Sequence, residues 1–171
     1  VLVGYLLSEG ARVIAADVFE ENMDIVGLAH PEVTMVPADG IIDVKCDIFS
    51  PNALGGIFND VTIPQLKCRA ICGAANNQLA ELRHGDLLHE KRILYAPDYL
   101  VNAGGLIAVA DEFQGYNKDR AFKNTSLIYE LLSHIFELAK QENLPPHKVA
   151  DRIAEERLEK VMHLQNKYVA R

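Results

Sequence analysis

The side chains best suited to bind a small polar ligand are two asparagines, Asn76 and Asn102, which follow apolar runs of sequence. An asparagine amide offers both a donor and an acceptor, so it can pair with another amide group. Small residues stand beside each one, Ala75 before Asn76 and Gly104-Gly105 after Asn102, and a third apolar run leads to Ala53-Leu54-Gly55-Gly56. A simple asparagine turn accounts for either amide alone about as well. Three such tracts in succession favour a ligand-binding edge.

The elements that must position these tracts have the pattern of a parallel sheet. Segments 44–49, 67–72 and 92–96 are short apolar runs, and each precedes one of the three tracts. Parallel strands are buried on both faces and end at a common edge, where open α/β sheets bind their ligands. We therefore expect an α/β fold with a Rossmann-like, doubly wound, mostly parallel sheet.

The beginning of the chain predicts the second half of a βαβ nucleotide-binding unit. A helical pattern over 2–8 ends at Gly10, and the run 12–17 predicts a buried strand that finishes with Asp17. A first strand and a G-x-G-x-x-G turn would complete the unit, and neither is in the sequence. That strand is central in the sheet order 3-2-1-4-5-6, so we expect a piece of a longer protein that is neither stable nor active alone.

Further helices are predicted around the strands. Segment 20–28 favours a short acidic helix, 54–58 restarts a helical pattern that Pro64 closes, and 78–90 favours a polar helix or loop. Segment 33–42 predicts no more than a loop or short strand. The fold is then expected to finish in C-terminal helices.

Two amphipathic stripes predict these last helices. Apolar residues share one helical face over 127–139, up to a stop at Asn143 and Pro145-Pro146, and another over 150–164. The second stripe needs a partner surface. We expect a partial nucleotide-binding domain over 1–144, and a C-terminal helix over 145–171 that packs on a domain absent from the chain.

Asp17 is the candidate for recognising the sugar of a nucleotide. A carboxylate at the end of the second strand can accept both ribose hydroxyls, and its charge repels a 2′-phosphate, so NAD is favoured over NADP. Val18 would then line the adenine side. A helix N-cap or a solvated strand end explains Asp17 equally well from its position alone.

Composition excludes several functional classes. A net charge of −7 and a pI near 5.3 give no support for a nucleic-acid or anionic-membrane surface. No stretch approaches the roughly 20 apolar residues of a membrane span. We expect a soluble cytoplasmic protein.

Cysteines and histidines do not form a metal-binding pattern. Cys46, Cys68 and Cys72 lie in apolar contexts and are expected to be reduced core thiols. His84 and His89 are the nearest pair, but a spacing of five does not place them on one helical face. Capping or solvated roles are therefore expected for the histidines, with no metal.

Five sequence motifs, taken in order, resemble one enzyme family over essentially the whole chain. They are Cys46-Asp47-Ile48-Phe49-Ser50-Pro51-Asn52-Ala53-Leu54-Gly55-Gly56; Asn59-Asp60-Val61-Thr62-Ile63-Pro64-Gln65-Leu66; Gly73-Ala74-Ala75-Asn76-Asn77-Gln78-Leu79; His84-Gly85; and Tyr95-Ala96-Pro97-Asp98-Tyr99-Leu100-Val101-Asn102-Ala103-Gly104-Gly105. Segment 150–157 resembles the C-terminal helix of the same family. The family is the leucine, phenylalanine and valine branch of the amino-acid dehydrogenases. One departure is Asn52, where many relatives have cysteine.

The resemblance implies an activity and a set of site residues. The activity is oxidative deamination of an L-amino acid, leucine or another branched-chain one, to the 2-oxo acid and ammonia, with hydride passing to NAD⁺. Family positions that hold the cofactor correspond to Asp17, Val18, Ala53, Leu54, Ala75, Asn76 and Asn102. Those of the substrate pocket correspond to Thr125 and Ile128. The family's catalytic lysine and aspartate lie in an earlier domain, so no catalytic residue is assigned here, and the full-length form is expected to be a homo-oligomer.

Two other interpretations remain open on the sequence. A non-catalytic nucleotide-binding remnant or assembly module would keep Asp17 and Asn76 without catalytic groups. Glutamate or phenylalanine dehydrogenase would share the layout. A glutamate enzyme needs a basic residue for the distal carboxylate, and Lys123 is the only one near Thr125.

Overall fold

The computed structural model describes residues 1–169, with side chains described through Met162. The chain forms two compact units, one comprising 1–45 and 65–67 and the other comprising 46–64 and the residues from 68 onward. Each unit carries its own small parallel sheet with helices, which makes the fold α/β and Rossmann-like.

The first unit is a βαβ element. Helix α1 (Leu2–Ser8) is followed by Gly10 with a φ of 81°, as expected for a helix that ends on glycine. Strand β1 (Ile14–Ala15) leads through α2 (Glu20–Ala29) to β2 (Thr34–Met35), and the two strands pair in parallel. A 3₁₀ segment (Ala38–Asp43) follows. Pairing is confined to two residues of each strand, so β1 is shorter than the predicted run 12–17.

The second unit has a three-stranded parallel sheet, in the order β3 (Ile48–Phe49), β4 (Ala70–Ile71) and β5 (Leu94–Tyr95). Phe49 is in register with Ile71, and Ile71 with Tyr95, so the three side chains form one buried row. Phe58 meets Phe49 and Tyr95 edge to face, with ring centroids 6.0 and 6.3 Å apart. This aromatic cluster anchors the strands that carry the candidate site.

The predicted helix over 54–58 is wrong. Gly56 has a φ of 70°, which a helix cannot accommodate, and its N–H donates to the carbonyl of Asn77 at 2.7 Å. Phe58 exchanges backbone hydrogen bonds with Gln78 and Ala80, so this segment runs beside 77–80 as extended chain. Only a 3₁₀ turn (Ile63–Gln65) is helical here. Backbone pairing with 77–80 therefore prevails over the helix that the spacing of apolar residues favours.

The helical part of the second unit consists of α3 (Arg83–Glu90), α4 (Asp98–Val101), α5 (Gly104–Glu112), α6 (Lys118–Glu142) and α7 (Pro146–Val169). The Asn117 side chain caps the start of α6 by accepting from the N–H of Arg120 at 2.9 Å. Asn143 ends α6 in the left-handed conformation, with a φ of 53°, at the stop that the sequence predicts.

Helices α6 and α7 pack on one another within this unit. Ile135 and Ala139 of α6 form a buried cluster with Val149 and Ala150 of α7. The N-terminal part of the predicted 150–164 stripe therefore has a partner inside the chain. Farther along α7, Leu158 is 64% exposed and Val161 is 48% exposed, and the side chain of Leu164 lies outside the described residues.

Candidate functional site

A cavity of about 500 Å³ lies at the carboxyl ends of β4 and β5. It is lined by Asn76, Asn77, Asp98, Tyr99, Asn102, Ala103 and Leu106. Both asparagines singled out in the sequence are among them. Asn76 and Asn102 therefore lie together at one edge of the sheet, as the sequence predicts.

The two asparagines contact one another directly. The Nδ2 group of Asn102 donates to Oδ1 of Asn76 at 2.5 Å. Asn102 is held at the end of the single-turn helix α4, where its N–H donates to the carbonyl of Asp98 at 2.9 Å. The bond leaves the Asn76 amide nitrogen as a donor and the Asn102 amide oxygen as an acceptor, which together match a carboxamide.

Hydrogen bonds join the loop after β3 to the loop after β4. The Asn52 side chain accepts from the N–H of Ala74 at 3.0 Å, and the carbonyl of Pro51 accepts from Ala75 at the same distance. The Asn52 amide also donates to the carbonyl of Ser50 at 2.9 Å. The asparagine that departs from the resemblance at this position is therefore a bridge between the two loops.

Glycine is required where these loops meet. A Cβ atom on Gly55 would lie 2.5 Å from the carbonyl oxygen of Asn76 and 2.7 Å from that of Asn77. Ala75 is buried, at 4% exposure, whereas Ala53 and Leu54 are exposed on the neighbouring loop, Leu54 at 86%. Neither Ala53 nor Leu54 lines the cavity that Asn76 and Asn102 share.

A second cavity, of about 700 Å³, lies in the first unit at the ends of β1 and β2. Asp17 and Val18 line it, and so do three further acidic residues, Glu20, Asp24 and Asp39. Val18 is 77% exposed. The two residues predicted for the adenosine half therefore do border one cavity.

Asp17 has a structural role just before α2, although Phe19 and not Asp17 is the N-cap residue of that helix. Its Oδ1 accepts from the N–H of Phe19 at 2.9 Å, and its Oδ2 accepts from the Asn22 side chain at 3.0 Å. These bonds hold the pKa of Asp17 below its usual range, with the Phe19 N–H as the largest cause. The carboxylate organises the entry to α2 and, because each oxygen has a second lone pair, can still accept hydrogen bonds from a ligand.

Thr125 and Ile128, the residues predicted for the substrate pocket, are half-buried one turn apart on α6. The Thr125 hydroxyl donates to the carbonyl of Ala121 at 2.9 Å, which satisfies it within the helix. A Cβ on Gly104 would lie 3.5 Å from the Thr125 methyl group, so Thr125 packs against the start of α5. Neither residue lines the cavity of Asn76 and Asn102.

Among the residues that the structure describes, the nearest approach to a metal-ligand set is one that sequence reasoning missed. It consists of Asp60, Glu81 and His84, whose ligand atoms lie within 4.8 Å of one another. Arg83 already engages both carboxylates, with hydrogen bonds of 2.7 Å to Asp60 and 2.9 Å to Glu81, and its positive charge opposes the approach of a cation. The His84 Nδ1 accepts from the N–H of Glu81 at 2.9 Å, so Nε2 carries the proton of the neutral ring. His84 is buried in the first turn of α3 and bonds the backbone just before the helix, so the predicted solvated or helix-capping role does not describe it.

The cysteines have the environments of core thiols. Cys68 is buried and Cys46 and Cys72 are half-buried, all of them unpaired. Burial raises the pKa of Cys68 to about 11. A protonated thiol is a poor nucleophile and metal ligand. Within residues 1–169, no helix combines the length and apolar character that crossing a membrane requires.

Sequence reasoning also missed Gln78 and Asp98 in the second unit. Gln78 is fully buried, and its backbone N–H donates to the Asp98 carboxylate at 3.0 Å. Asp98 in turn lines the cavity. Gln78 directly follows Asn76-Asn77 at the start of the polar segment 78–90, so its sequence context did not indicate burial.

Known proteins resemble this chain in sequence and in fold. The family model for Glutamate/Leucine/Phenylalanine/Valine dehydrogenase matches residues 11–166. Leucine dehydrogenase of Geobacillus stearothermophilus is 51% identical over 92% of this chain and 43% of its own length. Phenylalanine dehydrogenase of Caldalkalibacillus thermarum is 48% identical over 94% of this chain and 45% of its own length.

Solved structures agree with this assignment. The crystal structure of L-tryptophan dehydrogenase from Nostoc punctiforme superimposes with a TM-score of 0.88 at 40% identity, over 93% of this chain and 48% of that one. Glutamate dehydrogenase from Thermus thermophilus, at 15% identity and a TM-score of 0.65, shares the fold. The chain thus spans less than half the length of these curated relatives. It belongs to the glutamate, leucine, phenylalanine and valine dehydrogenase family.

Proposed function

We propose that this chain is the cofactor-binding part of an NAD-dependent L-amino-acid dehydrogenase that acts on leucine or another branched-chain amino acid. The reaction is oxidative deamination to the 2-oxo acid and ammonia. The observation that carries this proposal is the Asn76–Asn102 amide pair at the edge of the parallel sheet. Family membership supports the reaction class.

The residues of the second unit fit the nicotinamide half of the cofactor. The Asn76 Nδ2 and Asn102 Oδ1 atoms would hold the two atoms of the carboxamide and so fix the face of the ring. Gly55 lets the loop after β3 approach the carbonyls of Asn76 and Asn77, and exposed Ala53 and Leu54 on that loop would cover the ring from outside. When bound, NAD⁺ supplies the hydride acceptor.

The first unit fits the adenosine half. Asp17 would accept the ribose hydroxyls, and Val18 would lie against the adenine. Four carboxylates, those of Asp17, Glu20, Asp24 and Asp39, surround one cavity. Like charges disfavour a 2′-phosphate there, so NAD is preferred to NADP.

Helix α6 would supply the substrate side of the site. Thr125 and Ile128 would border the side chain of the amino acid, and a methyl-bearing, half-buried pair suits an aliphatic substrate. The domain proposal is that residues 1–144 bind the cofactor and that 145–171 pack on the substrate-binding domain of a homo-oligomeric cytoplasmic enzyme. The Leu158 and Val161 side chains on α7 are exposed enough to take part.

A binding experiment tests the cofactor proposal directly. Because the chain is not expected to be stable alone, this variant and those below are made in a chimera that joins residues 1–171 to the N-terminal part of the Geobacillus stearothermophilus leucine dehydrogenase. We expect the chimera to bind NADH, and Asn76→Ala to weaken that binding by about tenfold, the loss typical of one hydrogen-bonding partner. NADH fluorescence titration measures both. The Ser133→Ala variant, which removes an exposed hydroxyl that bonds only within α6, is the matched control and should bind like the wild type. Equal affinity of Asn76→Ala and the wild type would contradict the assignment of the nicotinamide half.

A further inference from the structure

Gln78 reaches back across the loop that presents Asn76. Its side chain is fully buried, and Nε2 donates to the carbonyl of Gly73 at 2.7 Å and to the carbonyl of Ala75 at 2.9 Å. One amide group therefore ties together both ends of the segment that precedes Asn76. Both donor hydrogens of that amide are used.

The backbone of Gln78 connects the same loop to its surroundings. Its carbonyl accepts from Phe58 at 3.0 Å, and its N–H donates to the Asp98 side chain at 3.0 Å. Asp98 also supports Asn102, whose N–H donates to the Asp98 carbonyl at 2.9 Å. Gln78 and Asp98 are thus hydrogen-bonded to one another, and Asp98 is also bonded to Asn102.

One residue of the loop has a backbone conformation that most residue types avoid. Asn77, between Asn76 and Gln78, has a φ of 52°, in the left-handed region. A residue in that region persists when surrounding contacts hold it. Without the Gln78 amide, the carbonyls of Gly73 and Ala75 would lose their shared donor beside a buried side chain, and the loop would gain freedom.

We propose that Gln78 is a positioning residue for Asn76. Its side-chain amide holds the 73–77 loop in the one arrangement in which the Asn76 amide meets Asn102 and faces the cavity. The identity of the ligand, a nicotinamide cofactor, rests on the proposed function. The positioning of the loop by Gln78 does not depend on which ligand binds.

Two variants separate the hydrogen bonds from the volume of the side chain. Gln78→Met keeps length and volume and removes both donors. Gln78→Glu keeps the shape and places an oxygen against two carbonyl oxygens. The control is Ile135→Val, which removes one methylene from the buried α6–α7 cluster and so perturbs the same unit away from the loop.

The first measurement compares two ligands of the chimera. We expect Gln78→Met to weaken NADH binding by about tenfold, corresponding to 1.4 kcal/mol, and Gln78→Glu to weaken it further. Binding of ADP-ribose, which lacks the nicotinamide, should stay within about twofold of the wild type, the scale of surface-type perturbations. A purely structural role would lower both affinities together, and that result would overturn the proposal.

The second measurement needs no ligand. Hydrogen exchange at the Ala74, Ala75 and Gly56 amides, which bond between the loops, should quicken by about tenfold in Gln78→Met. Exchange in α6 should stay unchanged, and Ile135→Val should show the reverse pattern. Unchanged loop exchange in Gln78→Met overturns the proposal. If the wild type binds neither nucleotide while the loop still loosens in Gln78→Met, the cofactor assignment fails and the positioning role stands.

Discussion

Asp17 shows at the scale of single residues that a candidate site group can also have a structural role. Its position at a strand end predicted both an N-cap role and ribose binding, and position alone could not separate them. The structure shows bonds to Phe19 and Asn22 that leave one lone pair on each oxygen. The number of hydrogen bonds that a side chain can still accept depends on its neighbours in three dimensions. The sequence pattern alone could not predict it.

Charge at Asp17 is expected to set the preference between the two cofactors. Asp17→Asn keeps an oxygen that can accept from Phe19 but removes the negative charge beside a 2′-phosphate. We expect the ratio of NADPH to NADH affinity to rise by about tenfold, as removal of one like-charge contact at close range implies. Parallel fluorescence titrations measure the ratio. Asp47→Asn, at an exposed carboxylate of the other unit, is the control, and an unchanged ratio in Asp17→Asn would rule out the discrimination by charge.

Gly55 is the residue at which the packing of the loops is most sensitive to one added carbon. The Cβ of Gly55→Ala would press on the carbonyls of Asn76 and Asn77, which are backbone atoms and cannot rotate away. We expect a loss of about 1–3 kcal/mol in the free energy of unfolding, typical of overpacking. Urea unfolding measures it. Gly40→Ala, with open space around the new carbon, should change stability by less than about 0.5 kcal/mol, and equal effects of the two changes would refute the close approach.

Among the elements, those with long periodic patterns were predicted well and those made by tertiary pairing were not. Helix α6 has both a stripe of apolar residues and stop signals at Asn143 and Pro145, and its end agrees with the prediction. Helix α5 was not predicted because it begins with Gly104-Gly105, which carry poor helix propensity. The segment 54–58 looked helical from its spacing, but its backbone pairs with 77–80.

The contact between α3 and the start of α7 is expected to respond to pH. His147 of α7 is 4% exposed, and Gly85 of α3 leaves no room for a Cβ, which would lie 2.4 Å from the His147 ring. Burial is the main cause that lowers the pKa of His147, while Asp86 and Asp151 oppose this effect and Lys148 and His89 add to it. The folded state therefore binds a proton less readily than the unfolded state.

The sign of the pH effect follows from that lowered pKa. Stability is complete above the ordinary histidine value of about 6.5 and falls as pH drops below it, because the unfolded chain takes up the proton first. Urea unfolding at pH 7.5, 6.5 and 5.5 should show this loss, and His147→Gln should flatten it. Exposed His134 supplies the control variant, His134→Gln, which should keep the wild-type slope. An identical slope in His147→Gln would remove His147 as the cause.

For the molecule as a whole, the family and the polar edge of the sheet could be predicted from the sequence, because both depend on short contiguous motifs. Asn76 and Asn102 were predicted separately, each at the end of a strand. Because the strands belong to one parallel sheet, the two side chains meet, with 2.5 Å between Asn102 Nδ2 and Asn76 Oδ1. Gln78 was not predicted because its role depends on a side chain folding back on its own loop. The two small sheets, with β1 beside β2 and β3-β4-β5 in order, match the 3-2 and 4-5-6 parts of the expected strand order.

Joining residues 1–171 to the N-terminal part of the Geobacillus stearothermophilus leucine dehydrogenase tests the central claim most directly. NADH formation would be followed with leucine, valine, isoleucine and phenylalanine, each with NAD⁺ or NADP⁺. We expect turnover that is fastest with a branched-chain amino acid, at least about tenfold slower with NADP⁺, and reduced by about tenfold in Asn76→Ala. A folded chimera that forms no NADH, or one that uses NADP⁺ as fast as NAD⁺, would contradict the assignment of this chain as the NAD-binding part of an amino-acid dehydrogenase.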